Sequence, residues 1–315
     1  MEVLFLDQNK WIELARVRTG AVSSGPSYIA YAELHEAVDR GRIVAPLAVA
    51  HILETSKRNH QASRANVAEV QASLSKGFVF RSRKARLLIE IRNALHSAFG
   101  EPRVQLEPNW AIVPGFMQAF EPFDTLVAMP AEAARSRLIS KHVDPKDQYL
   151  DYMLHQDDEH RRKSHARFSA ESDALLARIE ERRALMNGST NDLRWRAYAA
   201  QLFLDHQDYI AHMLDVIGHT VDELKHLGGE AIVKFVRNVP TLNVEAELAA
   251  RLEAQAGPLE SNDIRDMQSF YTAIPYANQL VAERCFISLA RQAKLDARYG
   301  TRLSVRLEGI IGVYK

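Results

Sequence analysis

Three acids near one end of the 315-residue chain, Asp263, Asp266 and Glu283, have the types and spacing to share one site. They lie in Ser261–Glu283, S-N-D-I-R-D-M-Q-S-F-Y-T-A-I-P-Y-A-N-Q-L-V-A-E. Asp263 and Asp266 fall at the start of a helical run, and Glu283 closes the short apolar strand Gln279–Ala282; a helix from Arg284 to Ala297 and an alternating edge strand, Leu303–Leu307, follow. Carboxylates at a helix start and a strand end converge when the two elements lie side by side. Converging carboxylates suit a hard divalent cation or acid–base work.

Two further acids sit early in the chain. Val3-Leu4-Phe5-Leu6 reads as a buried strand ending on Asp7, with Gln8-Asn9-Lys10 and an amphipathic helix behind it. A carboxylate at the end of a central strand is where open α/β sheets place their sites. An Asp in that position serves equally as a helix cap. Arg42–Ala45 is extended and stopped by Pro46, and the helix that follows carries Glu54, then Lys57 and Arg58. Glu54 reads either as the edge of the buried face or as an ordinary exposed residue. Phe78–Phe80 is a third strand, followed by Arg81, Arg83, Lys84, Arg86 and Arg92, a run suited to phosphates or to a solvated helix face.

The middle of the chain is different. Gly100 to Pro130 is irregular, with prolines and aromatics such as Trp110, Phe116, Phe120 and Phe123 that suit an ordered loop. Ala131 to Ala256 reads as helical, broken near Pro145, Asn187-Gly188, Gly228-Gly229 and Pro240. Histidines and acids cluster at His155–His160 and along Asp205, Asp208, His212, Asp215, His219, Asp222 and His226. Ile210, Met213, Leu214 and Ile217 oppose that stripe, which makes it the wet face of an amphipathic helix. Arg137 and His142 match the Arg-x4-His spacing of some all-helical ribonucleases, a spacing that chance supplies roughly once in such a chain.

Net charge is zero, yet unevenly spread: residues 1–100 hold 14 Lys/Arg against 9 Asp/Glu, and 258–315 hold 8 against 6. The middle carries 18 against 25, a distribution that reads either as a basic functional surface built from the two ends and hidden by the neutral total, or as chance segregation. One cysteine, Cys285, excludes an intramolecular disulfide framework and suits a reducing cytoplasm. The first residues lack signal-peptide character, and no apolar run reaches the roughly 20 residues needed to cross a bilayer.

With the middle set aside, the order becomes strand-Asp7, helix, Ala45-Pro46 leading to a helix with Glu54, strand, helix, Asp266 at a helix start, and a strand ending on Glu283. This order resembles the PIN-domain family of metal-dependent nucleases, specifically a larger member. The resemblance covers residues 1–100 and 258–315. It implies an α/β fold with a three-layer core and a central, mainly parallel sheet, interrupted by a large all-helical insertion at 101–257. It implies Asp7, Glu54, Asp266 and Glu283 as catalytic and metal-holding residues for Mg²⁺ or Mn²⁺. Asn9, Asp263 and Asn278 would stand just outside the metal, and Lys10, Lys57, Arg58, Arg81, Arg83 and Lys84 would bind nucleic acid. Glu283 replaces the family's usual Asp, and Asn278 stands where some relatives carry an Asp. The activity implied is a cytoplasmic endonuclease that hydrolyses phosphodiesters, of RNA before DNA. A catalytically weak scaffold that binds nucleic acid or a protein is the alternative. The insertion would also offer a surface for a homodimer or a protein partner.

Overall fold

The computed structural model describes residues 1–120, 143–155 and 157–314. Arg137 and His142, like Phe123, lie outside the described residues.

A mixed α/β fold is built on β1 (Glu2–Leu6), whose residues from Val3 to Leu6 are completely shielded from solvent. Such a strand belongs in the middle of a parallel sheet covered on both faces. It pairs in parallel with β2 (Ile43–Val44) on one side and β5 (Gln279–Val281) on the other. The outer strand β6 (Arg302–Ser304) pairs in parallel with β5, which gives the order β2-β1-β5-β6. Beyond β2, Leu47 exchanges backbone hydrogen bonds with Phe78 and Phe80. This attaches the antiparallel pair of β3 (Phe78–Phe80) and β4 (Ile112–Pro114).

Among the described residues the helices are α1 (Gln8–Arg18), α2 (Pro26–Asp39), α3 (Val49–Ser56), α4 (Gln61–Ser75) and α5 (Arg83–Ala98). Then come α6 (Pro145–His155), α7 (Asp158–Leu185), α8 (Asn191–Asp205), α9 (Gln207–Ile217) and α10 (Val221–His226). The last are α11 (Gly229–Asn238), α12 (Pro240–Ala254), α13 (Ser261–Ala273), α14 (Arg284–Gln292) and α15 (Leu295–Tyr299). None is long and apolar enough to cross a membrane.

The two-residue period of β1 divides the core. Leu4 and Leu6 face Trp11, Leu14, Leu34, Val70 and Leu74 of α1, α2 and α4. Val3 and Phe5 face the other way, into a cluster that includes Leu95, Trp195, Phe235, Leu242 and Phe270. The helices from 191 to 254 therefore share one apolar core with a sheet face. They do not close a core of their own. Gly77, at a left-handed φ of 76°, lets α6 dock: a Cβ there would collide with the Pro145 backbone carbonyl carbon.

Three expectations change in detail. The histidine–acid stripe is not one helix, because the chain breaks at His206 and again at Gly218, leaving its members on α8, α9 and α10, with His219 in the turn between the last two. The helix expected from Arg284 to Ala297 ends at Gln292, and Lys294 takes a left-handed turn before α15. The edge strand stops at Ser304, and a 3₁₀ turn begins at Leu307.

Candidate functional site

From β1 the chain moves to β2 on one side and returns to β5 on the other. The gap between the carboxyl ends of β1 and β5 is thus a topological switch point, where open α/β sheets bind ligands. Register places Leu6 opposite Val281, and the Asp7 N–H donates to the Val281 carbonyl at 2.9 Å. Asp7 and Glu283 therefore end neighbouring strands, whose backbones run about 4.8 Å apart. Each also opens a helix: Asp7 is the N-cap of α1, its Oδ1 accepting from the Gln8 N–H at 2.8 Å, and Glu283 is the N-cap of α14. The helix cap and the candidate site are one and the same residue.

Two helices bring the other acids. Pro46 ends the extended segment after β2, α3 begins at Val49, and Glu54 sits half-buried on its last turn. On α13, the Asp263 Oδ2 accepts from the Glu260 N–H at 2.8 Å and so holds the helix start. Asp266 lies one turn deeper.

The electrostatics show that the four converge. Asp266 is pushed up to about 8 by burial, and then by the charges of Asp7, Glu283, Glu54 and Asp263. Asp7, 8% exposed, is raised to about 6 by burial, then by Glu283 and Glu54 against the pull of the Gln8 N–H and Lys10. Burial also raises Glu54, opposed by Lys57, Arg265 and Arg58. Among the described residues none of the four carboxylates has a cationic side chain within 4 Å, and neither Glu54 nor Asp266 makes a hydrogen bond. Repulsion of this kind among carboxylates at a strand-end crevice marks a functional-site candidate. As the side chains stand, however, no three His, Cys, Asp or Glu among the described residues are placed to hold a metal ion.

Around this set, Asn9 donates from Nδ2 to the Glu283 Oε1, fixing the exposed end of that side chain. Lys10 reaches Glu13 at 3.4 Å, Lys57 is exposed at the end of α3, and Arg58 donates to the Ser63 Oγ at 3.1 Å. These residues border the acids.

Four expected positions fall elsewhere. Asn278 lies at the amino end of β5, where its Oδ1 accepts from the Val3 N–H at 2.8 Å, across the sheet's length from Glu283. The residue before a parallel strand and the residue after it lie on opposite edges, so Asn278 joins the sheet and stands away from the acids. Arg83 turns inward: it pairs with Glu245 at 2.6 Å, meets the His206 Nε2 at 3.0 Å, and lies over the Tyr271 ring. Arg81 donates from Nε to the Trp110 carbonyl, and the Lys84 ammonium sits 5.3 Å from the Tyr209 ring centre. These cations stitch α5 to the neighbouring chain. They do not form an open phosphate track.

Two neighbours of the acids were missed. Gln8 is buried and donates from Nε2 to the Thr55 Oγ1 at 3.1 Å, and that hydroxyl donates to the Gln71 Oε1. Its signal was helical phase, since positions 8, 11 and 15 share a face with Trp11 and Ala15. Arg265, beside Asp266, acts electrostatically on Glu54, and besides Asn262 on its own helix it meets Ser169 of α7, far away in sequence. A cavity of about 1240 Å³ lies behind α3 and α13, towards α7, α8 and α12, and none of the four acids lines it.

No family model, curated protein or solved structure matches the chain.

Proposed function

We propose that the chain is a divalent-metal-dependent endonuclease of PIN-like type, acting on phosphodiester bonds, with RNA before DNA on the strength of the resemblance. The observation that carries this is the burial and mutual repulsion of Asp7, Glu54, Asp266 and Glu283 at the switch point, with no cationic side chain among the described residues paired to any of them. An all-oxygen, acidic donor set is what Mg²⁺ and Mn²⁺ take, so the chemistry of these residues fits the ion. Bound there, such an ion supplies charge neutralisation and an activated water.

The protein's own groups have separable tasks. Asp7 and Asp266, on a strand end and a helix, are the fixed donors, while Glu54 and Glu283 have longer, more adaptable side chains. Asn9 orients Glu283, and Gln8 ties α1 to α3 next to Glu54. Asp266, with a carboxyl near 8, keeps its proton at neutral pH until a cation displaces it. Lys10 beside Asp7, and Lys57 and Arg58 beside Glu54, supply positive charge near the acids for a polyanionic strand.

A scaffold that binds nucleic acid or a protein without cleaving is the second reading. It is favoured by the lack, among the described residues, of three acids already at metal-holding positions. One experiment separates the two: incubate a labelled single-stranded RNA with wild type, Asp7→Asn and Asp266→Asn, with Mn²⁺ or with EDTA. The nuclease reading requires cleavage by wild type in Mn²⁺, and none in EDTA or in either variant. Cleavage that survives EDTA sinks it, and binding without any cleavage establishes the scaffold.

A further inference from the structure

The long helix α7 packs along both acid-bearing helices. Its Ser172 hydroxyl donates to the Gln268 Oε1 at 3.4 Å, and its Asp173 accepts from the Ser261 hydroxyl at 2.6 Å, both on α13. Arg161 near its start donates to the Ser56 carbonyl at the end of α3. Held at these points, α7 presents Ser169 and His165 to Arg265. The Arg265 guanidinium donates to the Ser169 Oγ at 3.3 Å and to the Asn262 Oδ1 at 3.0 Å. Ser169 stands 3.4 Å from the His165 Nδ1.

Lys57 completes the group. Lys57 directly follows Ser56, whose carbonyl Arg161 holds one turn before His165 on α7, and Glu54 lies three residues before it, so Lys57, His165 and Arg265 share one neighbourhood beside the acids, where both cations also bear on His165. Neither Lys57 nor Arg265 has a carboxylate within 4 Å among the described residues. Two cations, one at the end of α3 and one on α13, with no close carboxylate partner among the described residues, make a receptor for a tetrahedral anion.

We infer that Lys57 and Arg265, the latter oriented by Ser169 and His165 of α7, form a phosphate site that holds an internal phosphodiester of the strand next to the bond presented to the carboxylates. This rests on the nuclease reading for its location and gives the helical insertion a task in the site. Arg265 here is a binding residue, and Ser169 is a positioning residue.

The test measures binding of a fluorescent single-stranded RNA of about ten nucleotides by anisotropy, in EDTA, across a salt series. Lys57→Gln and Arg265→Gln should each weaken binding about tenfold. Each should also flatten the log–log salt dependence by about 0.7, the value for one lost contact on a single strand. Arg265→Lys should keep the slope while losing part of the affinity, and Ser169→Ala should cost about threefold at unchanged slope. Wild-type affinity and slope in both Gln variants overturn the site. Lys57 is exposed, so its variant carries the test even if Arg265→Gln fails to fold. A 5′-phosphorylated strand should bind like a 5′-hydroxyl one. A tenfold preference for the phosphorylated end, lost in Arg265→Gln, overturns the internal placement. Metal-dependent cleavage by wild type, with both variants binding normally, sinks the phosphate site and leaves the nuclease standing. Lost binding in the variants of a wild type that never cleaves does the reverse.

Discussion

Replacing Asp266 by Asn should stabilise the fold while abolishing its chemistry. A carboxyl raised from 3.8 to about 8 favours the unfolded chain as pH climbs, because the unfolded state releases the proton first. The sign follows: the cost is absent below about pH 4, grows through the window between the two values and levels off above pH 8. At pH 7 the unfolded chain's advantage spans about three pH units, about 4 kcal/mol at 1.36 kcal/mol per unit. Asp266 is partly exposed, and solvent screening trims this to about 2–3 kcal/mol. Thermal melts in EDTA should therefore place Asp266→Asn roughly 5 °C above wild type at pH 8 and level with it at pH 4. Mn²⁺ should raise the Tm of wild type and leave the variant unmoved. Since Asp266 must lose its proton to bind, wild-type Mn²⁺ affinity should rise about tenfold per pH unit between pH 6 and 8. A variant no more stable than wild type at pH 8, or one offset equally at pH 4 and pH 8, would refute the claim that burial and the neighbouring acids together raise the Asp266 carboxyl.

Two further predictions concern how the helical region is fastened on. Gly77→Ala should destabilise by about 2 kcal/mol or more and loosen the chain around Pro145 in hydrogen exchange, because both φ and space refuse a Cβ. A melt unchanged by that substitution would show that α6 docks without the close approach. Arg83→Met should cost about 3–5 kcal/mol in denaturant unfolding by leaving the Glu245 carboxylate buried without its partner. The double variant Arg83→Met/Glu245→Met should recover much of that loss, and a double variant as unstable as the single would contradict the pairing.

The acids were legible because each is tied to a local signal. Asp7 closes a four-residue apolar run, Asp266 follows a helix start, and Glu283 closes another apolar run. Each signal needs only its own neighbours. The mixed α/β fold was legible for the same reason, since β1 is apolar on both faces. What stayed hidden depends on contacts distant in sequence. Arg83 reads as one of a cluster of phosphate-seeking cations until Glu245 arrives from α12. Arg265 reads as an ordinary helix residue until α7 supplies Ser169. Asn278 was misplaced for a different reason, because strand direction alone decides which sheet edge a flanking residue occupies. The stripe from Asp205 to His226 kept helical spacing across two breaks, and spacing does not register where a helix turns.

The pairing of β1 with β5 also sets a clock. Val3 and Asn278 are partners across 275 residues. At about 5–20 residues per second, a ribosome needs roughly 15–55 s to travel that distance. Throughout that interval β1 has a neighbour on one edge only, and Asp7 and Glu54 wait without Asp266 and Glu283. The chemistry proposed for this protein is thereby withheld from the message being translated until the chain has been made through Glu283.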